Sequence, residues 1–177
     1  MPFDSKVVLN VAVSLDGFLD DKEGKFDWCF SDQDYGMTDF LARTGALLLG
    51  RNSYELLLSM DSEYTFPQHA KYIFSETLQS VQMPNTYIVG NGKLHETVKF
   101  IRKQTQGKDL WLFGGAVLIH HFLEARLVNE MILSIHPLLL GGGKPLFADL
   151  TQRQQWQLNH VKAYSTGLVQ SYYSFLD

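Results

Sequence analysis

Residues 110–118 read LWLFGGAVL. Four apolar residues with the character of a buried strand run into two adjacent glycines, and an apolar run with helical spacing begins without a linker. The first turn of a helix leaves backbone N–H groups without internal partners, and its aligned peptide dipoles favour an anion there. Glycine lets a ligand approach the backbone closely, so the turn suits a diphosphate; a chain reversal that needs positive φ, or lacks room for a Cβ, accounts for the pair as well. The arrangement recurs in LLLGRNSYE, residues 47–55, where a strand meets Gly50 and a helix opens on Arg51, Asn52 and Ser53. A cation, an amide and a hydroxyl then stand where an anion would meet the free N–H groups; capping by Asn or Ser beside an exposed Arg is the structural alternative. Together the two turns suit the two ends of a dinucleotide.

Along residues 6–14, alternation places Val7, Leu9, Val11 and Val13 on one face and Val8, Asn10, Ala12 and Ser14 on the other. The second face is smaller and more polar, as suits a strand packed on the core on one side and open to a ligand on the other; a solvated face fits it equally. Residues 14–28, SLDGFLDDKEGKFDW, have no period and read as a loop that folds back. Helices are predicted over residues 34–43, 51–60 and 95–104, and strands over 46–50, 71–75, 86–90 and 110–113. This alternation predicts a mainly parallel sheet with crossover helices on its faces. A helix over 115–125 and a strand over 131–135 follow, and Ser165, Thr166 and Gly167 separate two final strand-like segments. The expected fold class is therefore α/β, a central, mixed and mostly parallel sheet flanked by helices with a C-terminal antiparallel hairpin, in one domain over residues 1–177.

Composition narrows the function. A net charge of -4 gives no electrostatic footprint for nucleic acid, so a small-molecule partner is expected. No basic start precedes a long apolar run and no apolar segment reaches bilayer length, which predicts a cytoplasmic protein without a membrane partner. The single cysteine, Cys29, cannot form an internal disulfide, and the scattered histidines give little support for a metal. Neither glycine turn matches the dinucleotide-binding fingerprint with its third glycine or the phosphate loop ending in Gly-Lys-Ser/Thr, so a different nucleotide fold is needed.

In this order and spacing, SLDGFL, LLLGRNSYE, LWLFGGAVL and LVNEMILSIHPLLLGGGKPLF resemble the dihydrofolate reductase-like superfamily, nearest to stand-alone proteins similar to the reductase domain of the riboflavin-biosynthesis deaminase/reductase. The resemblance covers nearly the whole chain. It implies an eight-stranded mixed sheet that binds a nicotinamide dinucleotide phosphate. It also implies that Gly50, Arg51, Asn52 and Ser53 meet the cofactor phosphates, Gly114, Gly115 and Ala116 meet the diphosphate, Ala12 lies near the nicotinamide and Ser75 lies beside the adenosine ribose. Asp16 and Gly17 begin a loop over the cleft.

Several positions depart from the superfamily pattern. Counting back from Gly50 without gaps puts the pterin-binding carboxylate at Asp34; aligning helix ends puts it at Gly36, and Asp39 is a third candidate. Asp16 and Asp34 are the catalytic candidates. Phe113 stands where the riboflavin-pathway reductases carry an acid, Glu76 where an Arg commonly engages a 2′-phosphate, and Asn129 where Asp is usual, the last a structural difference. Arg51 or Lys71 could offset the Glu76 charge, and Phe18, Trp28, Phe30 and Tyr54 are candidate walls for a flat heterocycle. The reading is an NADPH-dependent reductase, with NADH as the alternative cofactor, acting on a small heteroaromatic or pterin-like substrate by hydride transfer. The competing readings are a non-catalytic dinucleotide-binding sensor and an oligomeric interaction protein on the same fold. The apolar C-terminal hairpin is consistent with a homodimer.

Overall fold

The computed structural model describes residues 5–60 and 65–176. An eight-stranded sheet takes the order β5-β4-β3-β6-β1-β7-β10-β9. Its strands are β1 (Val7–Ser14), β3 (Thr44–Gly50), β4 (Ala70–Phe74), β5 (Thr86–Val89), β6 (Asp109–Gly114), β7 (Glu130–His136), β9 (Trp156–Ala163) and β10 (Val169–Phe175). All pairings from β5 to β7 are parallel, while β10 joins β7 and β9 antiparallel, in line with the C-terminal antiparallel hairpin expected from the sequence.

Helices cover both faces. On one lie α3 (Leu94–Gln104) and α4 (Ala116–Glu124), whose Val98, Ile101, Ile119 and Phe122 pack with Val7, Leu9 and Leu48. On the other lie α1 (Met37–Arg43) and α2 (Arg51–Ser59), whose Phe40, Tyr54 and Leu57 pack with Val8, Leu47 and Leu49. Residues on alternate sides of β3 are therefore both fully buried, which is why that strand shows a continuous apolar run rather than alternation. Burying each such Leu contributes about 1.5–3 kcal/mol relative to leaving it exposed.

α1 begins later than the sequence predicts. Tyr35 and Gly36 have φ of 49° and 80°, left-handed values that cannot continue a helix, and Asp34 lies before them in the loop. Residues 14–28 are also less irregular than expected: β2 (Phe18–Asp20) pairs antiparallel with β8 (Lys144–Pro145). Strands this short carry no readable period. Asn129 Oδ1 accepts hydrogen bonds from Val7 N at 2.8 Å and Arg102 Nη2 at 2.8 Å, a structural role as expected. Among the described residues no helix is long and apolar enough to cross a membrane.

Candidate active site

A cleft of about 1570 Å³ opens on the α1/α2 face, along the C-terminal ends of the parallel strands. It exceeds the ~300–1,000 Å³ of an ordinary small-molecule pocket, so it has room for two ligands side by side. One half is built by the two glycine turns. β3 delivers Gly50 and starts α2 on one face of the sheet, and β6 delivers Gly114 and Gly115 and starts α4 on the other. The turns touch: a Cβ on Gly115 would lie 3.4 Å from Gly50 Cα and 3.5 Å from Ser53 Oγ. Gly115 also has φ of 99°, which side-chain-bearing residues rarely adopt. Neither helix start carries a side-chain cap, so first-turn N–H groups are left for a ligand at the cleft wall.

The rim of this half is polar. Arg51 pairs with Glu55 at 2.7 Å and donates to Thr77 Oγ1 at 3.0 Å, which ties the start of α2 to the end of β4. Ser75 Oγ accepts the N–H groups of Thr77 at 3.2 Å and Leu78 at 3.0 Å, shaping the turn that presents Glu76 to the cleft. Lys71 is not available here. It is fully buried, with Nζ donating to the carbonyls of Phe66 at 2.9 Å and His69 at 3.2 Å, so it cannot offset the Glu76 charge as the sequence suggested.

The other half is floored by β1, β7, β10 and β9. Their registers place Ala12, Ser134, Gln170 and Lys162 in one row across the sheet, and Asn10, Ile132, Tyr172 and His160 in the next. Gln170 is buried and bonded to four groups: Tyr35 O at 3.2 Å, Ser134 Oγ at 3.0 Å, Tyr172 Oη at 2.6 Å and Tyr164 Oη at 3.1 Å. None of these was legible as a site residue. Ser134 beside the apolar run Met131–Leu133 and Gln170 beside Val169 were the available signal.

The loop before α1 closes this half. His136 is buried, accepts Phe30 N–H at Nε2 at 3.1 Å and donates from Nδ1 to Ser134 O at 3.0 Å. A carbonyl can only accept, so this pair of bonds fixes the neutral tautomer with hydrogen on Nδ1. Burial holds its pKa below the usual value. The rings of Trp28 and Phe30 lie 5.1 and 4.9 Å from the imidazole. Burial, with the Asp27 charge second, pushes the Cys29 thiol up to about 11, so it remains protonated and unreactive near neutral pH.

Asp34 lines the cleft, but its oxygens are occupied by Thr38 N and Oγ1 at 2.9 and 2.8 Å and by Gly36 N at 3.1 Å. The Thr38 hydroxyl, then its N–H, holds the carboxyl below the ordinary Asp range, which favours the ionised form. Asp39 is exposed and lines the cleft as well. Asp16 does not line it. Its carboxylate accepts from Ser14 Oγ at 2.7 Å, Leu140 N at 3.1 Å and Gly141 N at 2.8 Å, and so clamps the end of β1 to the glycine run. Ala12, Gly50, Arg51, Asn52, Ser53, Ser75, Gly114, Gly115 and Ala116 all line the one cleft. Of the four aromatics suggested as walls, Phe30 lines it, whereas Tyr54 is buried in the core, accepting Gln82 N–H at 2.7 Å, and Phe18 and Trp28 do not line it. Phe113 does face the cleft and packs on Trp111 at 4.8 Å.

A mixed eight-stranded sheet with two glycine turns meeting at one cleft defines a reductase-type fold of the dihydrofolate reductase kind. The sequence matches the RibD C-terminal domain over residues 5–170, and the chain belongs to that family. It is 40% identical over a 179-residue alignment to the uncharacterized protein YyaP of Bacillus subtilis (strain 168), covering 95% of this chain and 94% of that one. Among solved structures, a proposed riboflavin biosynthesis protein from Shewanella sp. PV-4 is 28% identical with a TM-score of 0.88, over 97% of this chain and 99% of that one. Dihydrofolate reductase from Enterococcus faecalis, complexed with NADP(H) and RAB-propyl, is 14% identical with a TM-score of 0.69, over 99% of each chain, and shares the fold.

Proposed function

We propose that the protein is an NADPH-dependent reductase of a small, flat heteroaromatic or pterin-like substrate. The observation that carries this reading is the contact of Gly115 with Gly50 at two uncapped helix starts, a cradle that a Cβ would fill, opening into a cleft with room for a second ligand. Gly114, Gly115 and Ala116 would hold the diphosphate through backbone N–H groups, Arg51, Asn52 and Ser53 would meet phosphate oxygens, and Ser75 would shape the turn at the adenosine ribose. Ala12, small and on the open face of β1, would leave space for the nicotinamide ring. When bound, the cofactor supplies the hydride. The chain holds ring and acceptor together, and the loop pinned by His136 excludes water from them.

A second reading is a dinucleotide-binding sensor without catalysis. It is favoured by the engagement of Asp34 with Thr38 and Gly36, which leaves that carboxylate poorly placed to give up a proton. Exposed Leu158 and Val161 on the edge strand β9 support a homodimer on either reading. Calorimetric titration with NADPH, followed by a turnover screen of dihydrofolate and pteridines, separates them. Binding with turnover supports the reductase, and binding without it supports the sensor.

A further inference from the structure

Gln170 is 4% exposed, so its amide must find its hydrogen-bond partners inside the protein. One of them fixes its orientation. The carbonyl of Tyr35 can only accept, so the group 3.2 Å from it is the amide nitrogen. Oε1 therefore faces the Tyr172 and Tyr164 hydroxyls, at 2.6 and 3.1 Å, and both must donate to it. The second amide hydrogen points to Ser134 Oγ at 3.0 Å, which makes the serine oxygen an acceptor in that bond. All four hydrogen-bonding positions of Gln170 are then filled, and the serine's own hydrogen is left over. Among the described residues, Ser134 Oγ has no second protein partner.

Position gives that hydrogen a use. Ser134 lines the cleft and is the register partner of Ala12, the residue placed beside the nicotinamide. We infer that Ser134 donates its hydroxyl hydrogen to a carbonyl oxygen or an unprotonated ring nitrogen of the substrate, and that Gln170 with Tyr172 and Tyr164 is the positioning unit that aims it. The inference rests on the reductase reading for what lies next to Ser134. The chain of bonds runs in one direction, from tyrosine hydroxyl to Gln170 carbonyl, from Gln170 amide to serine oxygen, and from serine hydrogen to substrate. Each bond polarises the next, so the terminal donor is stronger than an isolated serine. A donor at this point draws electron density from the ring atoms beside the acceptor, where hydride would add. It also sets the substrate class: heterocycles that present a lone pair here are taken, and those that present N–H are refused, because two donors cannot pair.

The test uses two fragments that differ only in the acceptor, 3,4-dihydro-2-quinolinone with a lactam carbonyl and 1,2,3,4-tetrahydroquinoline with N–H alone. Both are titrated by NMR into the protein in the presence of NADP+. The parent should bind the lactam about fivefold more tightly, as one neutral hydrogen bond provides. Ser134→Ala should erase that preference and Ser134→Thr should keep it. Gln170→Glu should reverse it, because a carboxylate turns the serine hydrogen inward and leaves a serine lone pair toward the cleft, an effect that loss of packing would not produce. Equal affinity in the parent, binding of neither fragment, or a preference that survives Ser134→Ala would overturn the inference. Calorimetry with NADPH on the same parent sample keeps the two claims apart. NADPH binding without lactam preference removes the Ser134 role alone, whereas failure to bind NADPH removes the reductase reading.

Discussion

Gly115 and Gly50 lie back to back where two strands become helices, with only 3.4 Å between Gly50 Cα and the position a Cβ on Gly115 would take. The two turns are thus one structure; a Cβ on Gly50 would find ordinary contacts at 3.7 Å, whereas Gly115 is constrained by its positive φ of 99° as well as by the closer approach. Gly115→Ala adds the smallest possible side chain at φ of 99°. It should weaken NADPH binding by about 2 kcal/mol in a protein that still melts cooperatively, the scale of an overpacking penalty. Unchanged affinity by calorimetry would leave the glycines with a purely structural role.

Arg51 offers a different perturbation, since Arg51→Ala removes a charge and leaves the helix N–H groups in place. The guanidinium is held over the turn by Glu55 at 2.7 Å and Thr77 at 3.0 Å, near where phosphate oxygens would lie. Loss of one charge-assisted contact should cost about 1.5–3 kcal/mol in NADPH affinity at low salt, and less as salt screens the interaction. Titrations at two ionic strengths measure the slope, and a loss that does not vary with salt would remove Arg51 from the phosphate site.

Glu76 follows Ser75 at the end of β4 and lines the cleft. A carboxylate repels a 2′-phosphate and accepts hydrogen bonds from a free ribose hydroxyl, while Arg51 on the same rim opposes the repulsion. The protein should therefore bind NADPH with only a modest preference over NADH. Glu76→Arg should raise that preference by ~1–2 kcal/mol through a charge-assisted contact. A ratio of dissociation constants that does not move would place Glu76, and Ser75 with it, away from the ribose.

His136 ties the cleft loop to β7 only in its neutral form, because a proton on Nε2 would face the Phe30 N–H. Burial depresses its folded-state pKa, so the unfolded chain takes up a proton near pH 6.5 while the folded chain resists it. Stability is therefore full above that pH and falls as pH drops from about 6.5 toward the folded value. His69 shifts in the same direction, also chiefly by burial, and carries part of the slope. His136→Gln can keep both contacts without titrating, so its melting temperature should fall less than the parent's between pH 7.5 and 5.5. Identical pH dependence would show that His136 is not a titrating tie.

The strand–glycine–helix pattern and the alternation in residues 6–14 made the central sheet and the glycine half of the cleft legible, because both signals are local. What depends on distant partners was not. Lys71 resembles any strand lysine until the carbonyls of Phe66 and His69 close over it. Gln170 gains its meaning only from the β7–β10 register that sets it against Ser134. Asp34 sits near the predicted helix start, but left-handed Tyr35 and Gly36 place it outside the helix, where Thr38 engages it. Backbone conformation there overrides a sequence that would otherwise read as continuous helix.

The most direct test of the central claim is calorimetric titration of NADPH into the parent protein and into Gly115→Ala. Saturable binding of one NADPH per chain, weakened by about 2 kcal/mol in the variant, is the predicted result. Absence of NADPH and NADH binding in a folded parent would contradict the assignment of this cleft to a nicotinamide dinucleotide.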